Sequence, residues 1–401
     1  MTFQSFAGRQ YLQIDIANHM GHDKLDWDDR LAWFEANEPH LESLMTQAEE
    51  PALYFAAVKA YRDVQNGLPI GYCVGLDATS SGLQLLACLT GDRSAAELCN
   101  VVDTGHREDA YTNIYDLMLQ RSGGNAKIKR SDTKQAIMTS LYSSTAMPKK
   151  IFGEGELLEL FYDILKEFCP AAWELNETMR DLWNPTALSH DWILPDNFHV
   201  RTKVMDTVYE TIHFDEQPIE ISYKVNQPMP EGRALGANMV HSIDGMIVRE
   251  IVRRCSYDQR KVDMIADAIH SGPRGTFNRT KDDKMVCTLW ANYRETGYLS
   301  ARILDHLNED NLGHVDAAVI RKLLNSLPNK PFSVMPIHDC FRCLPHYAND
   351  LRRQYNLQLQ MIAESELLSS IISQLIGRKV QIGKLDPTLA ADIAASNYAL
   401  S

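Results

Sequence analysis

Residues 70–89 read IGYCVGLDATSSGLQLLACL. An apolar run from Ile70 to Leu76 ends on Asp77, a turn of small residues follows from Ala78 to Gly82, and Leu83 to Leu89 opens an apolar helix. This predicts a strand–turn–helix unit with a carboxylate at the strand end. A second aspartate is set in the same way. Residues 332–344 read as a β-hairpin centred on His338-Asp339, and Pro336 assigns its first strand to a sheet edge or a bulge. A carboxylate among apolar residues has to be paired or metal-bound, because an unpaired buried charge is costly. Two such groups that converge suit Mg²⁺, a hard cation with oxygen ligands. Either aspartate could instead cap a turn.

Between the two lies a helix predicted for residues 130–147, entered through Arg130-Ser131-Asp132 and closed before Pro148. Arg130, Lys134, Met138 and Tyr142 recur every four residues, and a drift of about 40° per step keeps them along one side. Two cations, a thioether and a phenol in that row could grip a triphosphate and cover a base and sugar, or form a solvated basic face. Ala136, Ile137 and Leu141 argue against exposure of the whole helix. Residues 207–226 alternate as a second hairpin, with Asp215-Glu-Gln-Pro218 as its turn. Residues 26–50 read as a helix interrupted at Pro39. Residues 345–377 read as mostly helical, with Leu357, Ile362, Leu367 and Ile371 available to a core.

At 401 residues, two or three lobes are expected. A composition of 45% hydrophobic and 23% charged residues excludes wholesale disorder. No apolar run reaches membrane-spanning length, and the N-terminus lacks the pattern of a secretory signal, so no membrane partner is expected. Eight irregularly spaced cysteines point to a reducing, cytoplasmic setting. Cys340-x-x-Cys343, with His346 nearby, lacks a second ligand pair and is not read as a zinc site. The net charge of −13 excludes coating of nucleic acid through bulk positive charge, though not a local basic groove.

The order of the pieces carries further meaning. Asp77-Ala-Thr-Ser-Ser-Gly-Leu-Gln84, Arg130-Ser-Asp-Thr-Lys-Gln-Ala-Ile-Met-Thr-Ser-Leu-Tyr142, Asn238-Met-Val-His-Ser-Ile-Asp-Gly245 and Ile337-His-Asp-Cys-Phe341 follow one another along the chain. Ala17-Asn-His-Met-Gly-His-Asp-Lys24 and Trp192-Ile-Leu-Pro-Asp-Asn-Phe-His-Val200 add to the series. The series resembles motifs A, B and C of the right-hand polymerases. It is most similar to the single-subunit DNA-directed RNA polymerases of bacteriophage and mitochondrial type, and the matches are collinear over nearly the whole chain.

That resemblance implies an α+β right-hand fold with palm and fingers, the thumb and N-terminal domain being absent. The palm would comprise residues 1–105 and 242–401, with an insertion at about 255–328. The fingers would span 106–241 and carry a specificity-type hairpin at 207–226. The implied activity is template-dependent synthesis of RNA from DNA by two-metal-ion nucleotidyl transfer. Asp77, Asp339 and the backbone carbonyl of Ala78 would hold two Mg²⁺ ions. Asp77, Lys134 and Asp339 are the catalytic candidates, Lys134 also as a proton donor to the leaving group. Lys24, Arg130 and Lys134 correspond to triphosphate contacts. Tyr142 corresponds to the tyrosine that senses the sugar, His241 to a histidine near the ribose and minor groove, and Tyr111 to an active-site tyrosine. Gly82 stands where the related DNA polymerases carry a glutamate that blocks a 2′-hydroxyl, which favours ribonucleotides.

Three departures stand out. Ser143 replaces the family's usual Gly, the stretch between His241 and His338 is long, and the promoter-binding region, the thumb and the arginine motif upstream of Lys24 are expected to be missing. This pattern resembles the large subunit of the two-subunit RNA polymerases of podophages. The expected partners are DNA template, RNA product, ribonucleoside triphosphates, a second, smaller subunit supplying thumb and N-terminal region, and an accessory protein that delivers single-stranded DNA. The expected setting is the cytoplasm of an infected bacterium. Three rival readings remain at this point. A family A-like DNA polymerase is opposed by Gly82. An HD-type phosphohydrolase needs further helix-borne ligands. A non-catalytic polymerase-shaped subunit is opposed by the retention of Asp77, Asp339 and Lys134.

Overall fold

The computed structural model describes residues 2–124, 127–229, 232–276 and 278–401. Among these the strands are β1 (Val74–Asp77), β2 (Ser189–Ile193), β3 (His199–Lys203), β4 (Asp206–Phe214), β5 (Gln217–Val225), β6 (Met335–Ile337) and β7 (Cys340–Cys343). The remaining elements are mostly helices, so the class is α+β. Three strands drawn from distant parts of the chain form an antiparallel sheet in the order β1-β7-β6. Val74, Leu76, Phe341 and Cys343 anchor it in the core. Pro336 sits in the edge strand β6, where its missing N–H costs no ladder bond. The chain's last residues line the other side of β1, with Asp77 N donating to Ser401 O at 3.2 Å and Ser401 N to Asp77 O at 2.9 Å.

The Ser81–Thr90 helix is apolar on nearly every side, and from Gly82 to Thr90 it is buried. It packs against the Ala348–Glu364 and Arg233–Cys255 helices. Its one amide, Gln84, is fully buried and satisfied. Nε2 donates to the carbonyls of Cys99 (3.0 Å) and Ala399 (2.9 Å), and Oε1 accepts from the Tyr355 hydroxyl (2.7 Å). The segment from Ile265 to Leu323 closes around a second, separate apolar core. Among the described residues, no helix is long and apolar enough to cross a membrane.

Local structure differs from expectation in three places. The helix predicted for 130–147 ends at Leu141, and a new helix, Ala146–Phe152, holds Pro148 in its first turn. Proline is tolerated there because a first-turn N–H has no intrahelical acceptor. Between the helices Ser143 takes a φ of 66°, in the left-handed region that glycine enters without strain. Its buried hydroxyl donates to Asn176 Oδ1 at 2.5 Å, which holds the serine in that conformation. In the second place, the expected helix over 26–50 is a helix only at Trp27–Asn37. It gives way at Pro39 to tighter 3₁₀ turns over Glu38–Gln47. Finally, the β4–β5 turn uses Asp215 and Glu216 alone, both with positive φ (50° and 61°), and Gln217 and Pro218 already belong to β5.

Candidate active site

Asp77 is the last residue of β1, and its Cα partner on β7 is Cys340. Asp339 precedes Cys340 in the two-residue turn between β6 and β7, and its carbonyl accepts from Ala78 N at 3.1 Å. Antiparallel pairing at ordinary strand spacing therefore brings two carboxylates from distant parts of the sequence to one end of one sheet. The first turn residue, His338, has a φ of 58° and is exposed. Among the described residues no donor engages the Ala78 carbonyl.

Both aspartates open into one cavity of about 620 Å³, which Ala78, Lys24, Tyr111, Arg130 and Lys134 also line. Asp77 is accessible from the cavity, but the surrounding walls displace enough water to push its carboxyl above the usual range. The Cys340 thiol opposes that shift and Asp339 adds to it. Hard oxygen donors that repel one another as anions are a donor set suited to a divalent cation.

The cationic wall is fixed by the protein itself. Asp109 caps the Ala110–Arg121 helix, accepting from Tyr111 N at 3.1 Å. The same carboxylate forms an ion pair with Arg130, whose Nε donates to Thr112 Oγ1 at 2.6 Å. Lys134 Nζ lies 5.2 Å from the centroid of the Tyr111 ring, and the Tyr111 hydroxyl is 3.1 Å from Ser80 Oγ. Thr133, Ala136 and Ile137 face the core, so Arg130 and Lys134 are left open to the cavity, while Met138 of the same row is exposed but does not line it. Lys24 comes from a loop held by Arg30, a wholly buried arginine. Arg30 donates to Leu25 O (2.9 Å), Asn18 Oδ1 (3.0 Å) and Asp23 O (2.7 Å) and lies over the Trp27 ring. Burial lowers its pKa to about 9, so it remains charged at neutral pH.

Tyr142 and His241 stand apart from this cavity. They stack on each other, with centroids 4.7 Å apart and an 8° angle, and Tyr142 lines a neighbouring hollow with Trp183, Arg201 and Lys224. Tyr142 is nonetheless linked to the Asp77 turn. A Cβ added at Gly82 would meet the Tyr142 hydroxyl oxygen at 2.9 Å. Burial, then Asp244, pushes the Tyr142 hydroxyl up to about 12, so it stays protonated and able to donate.

Several residues in or near the cavity were not singled out from the sequence. Asp244, three residues after His241, is pushed up to about 6 by burial and by Asp339. On the Lys24 side, buried Asp15 and His19 meet an exposed carboxylate, Glu50. His19 Nε2 is 3.3 Å from Asp15 Oδ2, and Nδ1 is 2.7 Å from Glu50 Oε2. Asp15 also accepts from Gly75 N of β1 at 3.0 Å. Asp15 and His19 are helix neighbours four residues apart, but Glu50 lies 31 residues beyond His19, out of reach of any spacing rule. Cys340 faces the cavity while Cys343 is buried in the core, so the CxxC pair does not converge. No group of three or more potential metal ligands of the His/Cys/Asp/Glu type was found among the described residues.

Burial lowers the His19 pKa, but Asp15 and then Glu50 outweigh it and leave it raised. A raised folded-state pKa gives stability that is complete below the unfolded value of about 6.5 and fades as pH rises through the folded value. His19→Gln is therefore expected to cost about 1–2 kcal/mol at pH 6. The difference from wild type should shrink by pH 9 in denaturant unfolding. An unchanged difference across that range contradicts the charged pairing.

Comparison with known proteins follows the same lines. Residues 5–164 match the family described as DNA-dependent RNA polymerase. The chain is 24% identical over 331 residues to the DNA-directed RNA polymerase of Pseudomonas phage phiKMV, covering 65% of this chain and 40% of that protein. It is 21% identical over 372 residues to a probable DNA-directed RNA polymerase of Agaricus bitorquis, covering 73% of this chain and 33% of that protein. The aligned part thus spans well under half the length of either relative.

Proposed function

We propose that the chain is a member of the single-subunit, phage-type RNA polymerase family and the catalytic subunit of a two-subunit phage enzyme making RNA on a DNA template, a reading supported by the family match and the two polymerase relatives. The observation that carries the reading is the single cavity onto which β1, the β6–β7 turn, the Lys24 loop and the Arg130–Leu141 helix all converge. In this reading residues 1–105 and 242–401 are the palm and 106–241 the fingers. Asp77, Asp339 and the Ala78 carbonyl would hold two Mg²⁺ ions. When bound, these would supply activation of the primer 3′-hydroxyl and neutralisation of the departing pyrophosphate. Lys24, Arg130 and Lys134 orient the triphosphate, since phosphoryl transfer depends on positioning and charge more than on a covalent nucleophile. Lys134 stands ready to give a proton to the leaving group. Tyr111 shapes the floor beside Lys134, and Tyr142, braced by His241, presents its hydroxyl to the sugar.

Rival chemistries fit less well. A DNA polymerase needs bulk where Gly82 stands, and the Tyr142 hydroxyl already fills that space. An HD-type phosphohydrolase needs its histidine among the metal ligands, whereas His338 is exposed in a turn.

The β4–β5 hairpin supports the idea of a further subunit. Its alternation puts Val208, Ile212, Phe214, Ile219, Ile221 and Tyr223 on one face, interrupted by Glu210 and Gln217, and Phe214 is 71% exposed. A two-stranded hairpin gains little stability alone, so such a face calls for a protein partner. Glu210, Asp215, Glu216 and Glu220 against Lys224 make it a poor reader of duplex DNA, because carboxylates repel phosphate. The assembled enzyme is therefore expected to extend RNA on a preformed RNA–DNA scaffold. It should initiate poorly on linear duplex DNA unless the DNA is premelted or delivered by a single-strand-binding protein. Strong, sequence-specific initiation on closed duplex by the purified enzyme alone would overturn the assignment of the hairpin, and failure on the scaffold would overturn the polymerase reading.

A further inference from the structure

We propose that Arg107 is a further phosphate-binding side chain of this centre, reaching the incoming triphosphate and the pyrophosphate that leaves. The inference deepens the polymerase reading and rests on it. Arg107 lines the cavity between two groups already placed there. Its backbone N–H donates to Asp26 Oδ1 at 2.6 Å, which ties it beside the loop that presents Lys24. Two residues further on, Asp109 holds Arg130. Lys24, Arg107, Arg130 and Lys134 thus form a cationic arc on the wall of the cavity that holds Asp77 and Asp339.

What sets Arg107 apart is how little of its guanidinium is engaged. Its one hydrogen bond is from Nε to Ser401 Oγ, at 3.3 Å. Among the described residues, neither Nη group has a hydrogen-bond partner and no carboxylate stands within ion-pair distance. Two wholly buried arginines are more fully engaged, although a third, Arg254, also leaves Nη1 without a partner. Arg30 uses all three nitrogens on Leu25, Asn18 and Asp23, and Arg352 spends both Nη groups on Gln4 O, the Tyr11 hydroxyl and Asn397 O. Arg130 already has its carboxylate. Asp23, Asp109 and Asp26 favour the charged guanidinium, but none of them is within ion-pair distance, so its Nη groups remain open to a ligand. The planar fork left open matches two oxygens of a phosphate.

The test uses the assembled polymerase on a preformed RNA–DNA scaffold. It compares wild type, Arg107→Ala and Arg107→Lys in single-nucleotide addition and in pyrophosphorolysis, with thermal unfolding alongside. Arg107→Ala is expected to raise KM for ribonucleoside triphosphate and KM for pyrophosphate together, each by about tenfold, with kcat much less affected. Arg107→Lys, which keeps the charge but not the fork, falls between. The bond to Asp26 comes from the backbone and survives both changes. A purely structural role would lower the melting temperature and kcat without a matched rise in the two KM values, and that result overturns the inference. So does an Arg107→Ala enzyme whose two KM values equal those of an active wild type. A wild type that adds no nucleotide at all overturns the polymerase reading itself.

Discussion

Asp77→Asn and Asp339→Asn are each expected to lower nucleotide addition by on the order of a thousandfold while leaving the fold intact. Asparagine keeps the shape of the side chain and removes the charge. The contacts that place these residues in the sheet are made by their backbones. Asp77 pairs through N and O with Ser401, and Asp339 accepts from Ala78 N. Neither bond depends on the carboxylate. Because burial and the neighbouring aspartate disfavour the ionised form of Asp77, its neutral replacement should leave thermal stability equal or slightly higher. The expected pattern is therefore intact melting with lost chemistry. A variant that extends RNA at a near-normal rate would remove Asp77 or Asp339 from the centre.

Gly82→Glu is expected to depress ribonucleotide addition by roughly a hundredfold. The new Cβ alone meets the Tyr142 hydroxyl oxygen at 2.9 Å, so the ring has to shift, and its stack on His241 at 4.7 Å shifts with it. The added carboxylate would then occupy space needed by a ribose hydroxyl. Tyr142→Phe separates the two effects. It keeps the ring and the stack but loses the hydroxyl, so addition should continue while discrimination against deoxynucleotides falls. Rates of ribo- and deoxynucleotide addition, measured side by side for both variants, test the pair. Unchanged selectivity in Tyr142→Phe would show that this hydroxyl does not read the sugar.

The sequence made the two strand-end aspartates legible because each breaks an apolar run, and local pattern is what a short strand leaves behind. The row of Arg130, Lys134 and Met138 was legible for the same reason. Its end was not. The stop at Leu141 depends on Ser143 taking a left-handed conformation held by Asn176, 33 residues away. No local rule contains that contact. Asp15, His19 and Glu50 link separate segments to β1, and Arg107 is placed in the cavity wall by its backbone bond to Asp26 and its Nε bond to Ser401. Such residues read as ordinary surface charges until tertiary structure gathers them. The hairpin at 206–225 was legible as a hairpin from its alternation. That its apolar face would stand uncovered could be seen only once the rest of the chain had been folded around it.

The most direct measurement of the central claim is single-nucleotide addition on RNA–DNA scaffolds that differ only in the templating base, with the assembled enzyme and Mg²⁺. The expected result is addition of the complementary ribonucleotide alone on each of the four templates, abolished by chelation of the metal and by Asp339→Asn. Addition that ignores the templating base, or that persists in Asp339→Asn, would contradict the assignment of this cavity as the centre of template-directed RNA synthesis.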